Sequence, residues 1–313
     1  MSALPPGAPA VHRAFGRLRS IRTTDADAAE DAVLEALRPL ASSTWPEIAW
    51  RYGVLTATGY PVELAWTSRD LALRWTSEVA GPEVPEVDRL GIAEELALKL
   101  AGVRLDLARW SELQSGRPLR WGAWLGLRQL DNVQRAKVYL ELPSGKVAAG
   151  PWSEACTQFA ARLGDLTWRM AGVNDDGSVE LYARTPELTW PDLTAAANLI
   201  GAEGNLSALV RELIEHNRAA PPRPSGLSLV LDPSGAPVAV TWFAIAKLIW
   251  SNDAAVQEAV LRTTELVNPA AGSVDLYRTL ASGPDDGRWR HGMVGIGVDR
   301  AGGTWLQTGL RPT

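Results

Sequence analysis

The sequence predicts an α+β protein in which ten antiparallel strands, built from about five αββα repeats, close into a β-barrel surrounded by helices. Three observations predict it. Strands come in adjacent pairs joined by turn signals such as NDDG and DPSG, whereas parallel winding would put a helix between every two strands. A unit of one hairpin and one or two helices recurs at intervals of roughly 45–65 residues. Closing ten strands into a barrel removes their exposed edges. A barrel of more than about eight strands is too wide for side chains alone to fill, so the interior should hold a ligand cavity. An open sheet covered on one face, or two smaller α+β domains, would use the same strands.

Taken in order, residues 1–20 read as a flexible N-terminal segment ahead of a single barrel domain over 21–313. The run DADAAEDAVLEALRPLA is an amphipathic helix, with Asp25 or Asp27 as its cap. Strands are expected around 51–58, at 61–66 and at 71–79, followed by a helix over 87–101. The second hairpin spans 121–130 and 134–142, with a helix over 152–163. The third spans 166–173 and 178–185, and helices follow at 190–200 and 206–217. APPRPSG is a loop. The fourth hairpin covers 226–231 and 237–243, before a helix over 253–267. The fifth closes the chain at 292–298 and 304–310, around DRAGG.

Composition narrows the function classes. A net charge of −5 gives no electrostatic reason to expect nucleic acid or an anionic membrane as partner. The N-terminal stretch lacks an apolar signal core, and no apolar run is long enough to span a bilayer, so a cytoplasmic protein is expected. Cys156 is the lone cysteine, which excludes an intrachain disulfide, and His12, His216 and His291 lie too far apart in sequence to suggest a zinc cage. The 14 Trp stand out against 5 Tyr and 3 Phe. Large aromatics fill core volume, and several could also line one apolar cavity where a π-face shields a cation.

The segment from Tyr60 to Pro82 sets Glu63 inside an apolar strand and Arg74 in the middle of the next. Two such buried charges are costly unless they pair with each other or meet a charged ligand. A cross-strand ion pair is the simplest use of them. Asp175–Asp176 and Asp285–Asp286 sit beside Gly, which points to turns rather than to magnesium. His291 reads as a surface or cap residue, and Cys156 as a small core residue. No Gly-rich phosphate loop at a strand–helix junction and no serine elbow stands out.

At this point the motifs resemble a known family. PVEL at Glu63, LRWTSEV at Arg74, RAKVYLELP at Lys137, SVELYART at Tyr182 and TWLQTGLRP at the C-terminus resemble the hairpins of aromatic prenyltransferases of the ABBA, or PT-barrel, fold, in their indole (dimethylallyltryptophan-synthase-like) branch. The motif resemblance covers four of the five repeats. It implies transfer of a prenyl group from a prenyl diphosphate, most simply dimethylallyl diphosphate, to an electron-rich aromatic acceptor such as an indole, a tryptophan compound or a peptide. It also implies no cofactor and no metal, a place in secondary metabolism, and neither nucleic acid nor membrane as partner.

Residues i and i+2 of a strand share a face, so Arg135, Lys137 and Tyr139 point one way, as do Glu180, Tyr182 and Arg184. If that way is inward, cations and phenols converge where they can bind a diphosphate and stabilise it as a leaving group. The candidate diphosphate-binding residues are Arg74, Arg135, Lys137, Tyr139, Tyr182, Arg184 and Gln307. Trp242 and Trp305 are the candidate aromatic pocket, and Glu63 is the candidate base. With the opposite facing, Arg135 and Lys137 would meet solvent. The chain departs from the family pattern at Glu180, where a Lys is expected, at Trp242, where a Tyr is common, and at Gly309, where a Tyr is expected. Glu180 would repel a diphosphate unless it pairs, for instance with Arg184. A barrel that binds an aromatic ligand without chemistry is the alternative that Glu180 and Gly309 favour, and an α+β enzyme of unrelated chemistry is a third.

Overall fold

Paired strands form where apolar alternation flanks an Asp-containing turn. The computed structural model describes residues 7–41, 53–56, 58–143, 145–164, 166–185, 187–202, 206–215 and 218–313. The strands are β1 (Val62–Thr67), β2 (Leu73–Glu78), β3 (Ala123–Leu130), β4 (Val133–Glu141), β5 (Thr167–Asn174), β6 (Val179–Thr185), β7 (Ser225–Leu231), β8 (Pro237–Ile245), β9 (His291–Asp299) and β10 (Thr304–Leu310). Each is antiparallel to its neighbours in sequence, and β10 pairs with β1 to close the barrel.

This up-and-down order puts all five hairpin turns at one end of the barrel and the helical connections at the other. Aspartates shape the turns by accepting backbone N–H groups. Asp70 accepts from Ala72 at 2.9 Å, Asp176 from Ser178 at 2.9 Å, Asp232 from Ser234 at 2.9 Å, and Asp299 from Gly303 at 2.8 Å. The β3–β4 turn is a two-residue turn with Asp131 and Asn132 both at positive φ. Its N–H groups donate to Asp25, on a helix, at 3.2 and 3.1 Å.

The two faces of the wall differ. On β1 the side chains of Val62, Leu64 and Trp66 are buried under the helices, and the Trp66 indole N–H donates to the Ser273 carbonyl at 2.7 Å. The alternate residues Glu63 and Ala65 are only half-buried. The same alternation runs through β2, β4 and β6, so the barrel encloses a lumen that solvent reaches rather than a packed core. The core lies between wall and helices, where each large apolar side chain withdrawn from water contributes about 1.5–3 kcal/mol.

A helix runs over Ala8–Ala36, with non-helical φ/ψ only at Arg22, so the described part of the 1–20 segment is helical. Val11, Ala14, Phe15 and Leu18 are buried on it, which explains why it docks. Asp25 anchors the β3–β4 turn instead of capping a helix. No strand forms over Gly53–Thr56, and residues 51, 52 and 57 of that expected strand lie outside the described residues. Helices at Ala108–Gln114 and Ser273–Ala281 were not anticipated. Trp66, Trp75, Trp168 and Trp242 face the helices, and only Trp124 and Trp305 among the strand tryptophans face the lumen, so the Trp excess mostly fills the core. His291 is buried: Nδ1 meets Asp253 at 2.6 Å and Nε2 meets the Tyr277 hydroxyl at 3.0 Å. Cys156 is buried as expected, and burial pushes its thiol up to about 12. Among the described residues no helix is long and apolar enough to cross a membrane.

Candidate functional site

Glu63 and Arg74 do not pair with each other. Glu63 stands opposite Thr76, and Arg74 opposite Ala65, all on the lumen face of β1 and β2. Glu63 has no hydrogen-bond or ion-pair partner among the described residues. Burial alone pushes its carboxyl up to about 7. Its carboxylate lies against two glycines: a Cβ at Gly309 would sit 2.2 Å from the carboxyl carbon, and one at Gly292 2.6 Å from Oε2. The bare Gly309 is therefore the space that Glu63 occupies.

The cations gather toward the hairpin-turn end. Arg74 makes a bidentate pair with Asp70 at 2.7 and 2.6 Å. Arg128, directly opposite Arg74 on β3, shares the same carboxylate at 3.0 Å. Burial and then the neighbouring Arg74 lower the Arg128 pKa. Burial opposes the Asp70 charge, but Arg74 outweighs it and holds the carboxyl below its usual range. Arg128 was missed from the sequence. It was findable, since it stands four residues from Trp124 and two from Gly126 on one strand face.

Lys137 does face the lumen, between Gly126 and Asn174. Its ammonium donates to Glu180 and, at 3.1 Å, to the Tyr182 hydroxyl. Glu180 also accepts from the Ser228 hydroxyl at 2.6 Å. Burial opposes both charges, yet the pair wins: the Lys137 pKa is raised and the Glu180 pKa lowered. Burial, then Glu180, raises the Tyr182 phenol well above its ordinary value. Glu180 thus pairs with Lys137 and not with Arg184, which is exposed near the end of β6. Arg135 is also at the rim, 55% exposed and 3.6 Å from Asp175, so it does not join Lys137.

Aromatic rings form a band around the lumen. Tyr139 and Tyr182 lie 6.1 Å apart, and Tyr182 and Phe243 6.0 Å. The Lys137 ammonium sits 4.9 Å from the Tyr139 ring. Phe243, not Trp242, supplies the β8 member. Trp242 pairs with Leu227 and Ile296 on the helix-facing side and is fully buried there. A one-residue shift in reading a strand reverses every face, which is the source of the error. Trp305 does turn inward but is only 4% exposed: it lies flat on Gly297, with the Arg69 guanidinium 4.1 Å above its ring. Gln307 stays half-buried in the lumen, its amide oxygen accepting from Trp305 at 3.3 Å. At the other end Trp124 stacks on Trp121 at 3.8 Å and donates its indole N–H to Glu78 at 3.1 Å. Glu78 and Trp124 were not anticipated as lining residues.

The arrangement therefore holds an unpaired acid of raised pKa at one end of a lumen, an aromatic band and an ammonium group in the middle, and guanidinium groups toward the other end. Among the described residues no group of three or more His, Cys, Asp or Glu side chains is arranged to hold a metal ion.

No family profile matches the sequence, and no curated protein sequence matches it either. Solved structures do. The 5-dimethylallyl tryptophan synthase from Streptomyces coelicolor, in complex with DMASPP and Trp, is 17% identical, with a TM-score of 0.78 over 99% of this chain and 96% of that one. The 6-dimethylallyltryptophan synthase from Micromonospora olivasterospora, also with DMASPP and Trp, is 17% identical, with a TM-score of 0.71 over 96% of this chain and 95% of that one. AnaPT from Neosartorya fischeri is 14% identical, with a TM-score of 0.66 over 96% and 92%. At these identities the likeness establishes the fold: this chain has the ten-stranded barrel of the tryptophan prenyltransferases.

Proposed function

We propose that the protein is an aromatic prenyltransferase that moves a prenyl group, dimethylallyl in the first instance, from its diphosphate to an indole or tryptophan compound. The observation that carries this reading is the partition of one lumen: unpaired Glu63 toward the helical end, Lys137 in the middle, and Arg74 and Arg128 toward the hairpin-turn end. The shared fold with enzymes solved with DMASPP and Trp supports it. In this reading the C1–O bond of the donor breaks, and the electron pair leaves with the diphosphate, stabilised by the basic side chains. The acceptor carbon attacks the allylic cation, which Tyr139, Tyr182 and Phe243 shield from water. The ring then gives up its proton, and Glu63 accepts it. The products are prenylated arene, diphosphate and a proton.

Charge neutralisation by side chains supports turnover without metal, so activity should persist in excess chelator. The test is direct: purified protein with dimethylallyl diphosphate and tryptophan, then a panel of indoles, phenols and peptides, read by product mass. A prenyl mass gain is expected. No product with any donor–acceptor pair removes the reading.

A second reading draws on one observation, the Lys137–Glu180 pair. It leaves the mid-lumen electrically neutral, as suits a barrel that binds an uncharged aromatic ligand without chemistry. Trp fluorescence separates the two readings, because only the first requires a response to diphosphate.

A further inference from the structure

The lumen carries its own anions. Arg74 and Arg128 share the single acid Asp70, so that trio keeps a net positive charge. At Lys137 the positive charge is fully matched. Glu180 stands opposite Gly172 on one side and Val230 on the other, within the same wall. One of its oxygens accepts from Lys137 and the other from Ser228 at 2.6 Å, which fixes the carboxylate in place. Gly172 makes the contact possible. A Cβ there would lie 2.2 Å from Lys137 Cε, so only a bare backbone lets the lysine cross β5 to reach Glu180 on β6. Tyr182 closes the cluster from the same strand. An anion that approaches Lys137 therefore meets a carboxylate already bonded to the same ammonium, and like charges brought together are costly.

We propose that Glu180 is a resident counter-anion that occupies Lys137 and holds the lumen's affinity for diphosphate below what its cations would otherwise give. The identity of that anion rests on the prenyl-transfer reading above. The consequence is chemical. The donor must draw its affinity from its prenyl chain as well as from its charge. Once that chain has been transferred, the bare diphosphate is held weakly and leaves. Glu180 would thus trade donor affinity for product release.

Inorganic pyrophosphate is the probe. Its dissociation constant, by titration calorimetry, is compared in the wild type, Glu180→Gln, Lys137→Met and the double variant. Glu180→Gln should bind pyrophosphate about tenfold more tightly or better, and much of that gain should vanish in the Lys137→Met background, because the acid acts partly by occupying the lysine. Glu180→Ala serves the same comparison if the Gln variant does not fold. Equal affinity in the wild type and the Glu180 variant, including no measurable binding to either, overturns the proposal. Product formation is scored separately. Prenylated product with equal pyrophosphate affinities keeps the prenyl-transfer reading and removes the role of Glu180. Tighter pyrophosphate binding with no product from either protein does the reverse.

Discussion

Glu63 is the residue on which the chemistry turns, and its environment sets its pH behaviour. Burial raises its pKa from 4.5 to about 7, so near neutral pH it is part acid and part base. If it accepts the acceptor's proton, turnover should rise with pH through about 7 and flatten above it, and the pH–rate profile of kcat checks this. Stability should run the other way. A carboxyl whose folded pKa lies above its unfolded one stabilises the fold relatively below the unfolded value, and loses that contribution as pH rises through the folded value. Glu63→Gln cannot ionise, so it should melt a few degrees above the wild type at about pH 8 and by less at about pH 5, read as Tm. Arg74→Ala should lower kcat/KM by about a hundredfold or more, the range seen when one stabilising donor is removed from a developing anion. The Glu63–Arg74 segment was legible as unusual from the sequence. The surroundings of its charges were not: Arg128 meets the Arg74–Asp70 pair only when β3 pairs with β2, and Gly292 and Gly309 meet Glu63 only after the barrel closes.

At the level of elements, a pattern of glycine against bulk runs through the wall. Gly126 lies under Tyr139, Gly172 under Lys137, Gly226 under Phe243 and Gly297 under Trp305, each glycine on the first strand of a hairpin and each large side chain on the strand beside it. Successive strands thus alternate a bare backbone with a large side chain laid across it, and this packs the lining without filling the lumen. A Cβ at Gly297 would fall 2.0 Å from the rigid Trp305 ring, so Gly297→Ala should cost about 1–3 kcal/mol and lower Tm. The facing of β8 gives a paired test. Trp242→Phe should lower Tm and leave the KM values unchanged, whereas Phe243→Ala should raise KM or depress kcat with little change in Tm. The strands themselves were readable within a few residues, because alternation and turn residues are local signals. Their facing was not readable where apolar residues run together, as in AVTWFA, since Trp242 and Phe243 are equally at home on either side of a strand.

For the whole molecule, closure is what converts scattered residues into a site. Ten strands in up-and-down order put every hairpin turn at one end, and the turn aspartates there meet the barrel's arginines: Asp70 with Arg74 and Arg128, Asp175 with Arg135, and Asp299 with Arg69. Asp70 and Asp299 thus both shape their turns and temper the positive charge of that end, and Asp175 adds to the second effect. The repeat could be read from sequence because each unit is built from local signals, and it led to the closed barrel, whose β10–β1 pairing brings Asp299 to Arg69. The charge balance inside could not, since it depends on which acids fold back onto which cations. The most direct measurement is a crystal structure with a dimethylallyl thiolodiphosphate analogue and tryptophan bound together. The expected result puts the diphosphate against Arg74, Arg128 and Lys137 and the indole N–H within hydrogen-bond reach of Glu63. A diphosphate bound outside the lumen, or an indole turned away from Glu63, would contradict the proposed division of the lumen into a leaving-group end and an acceptor end.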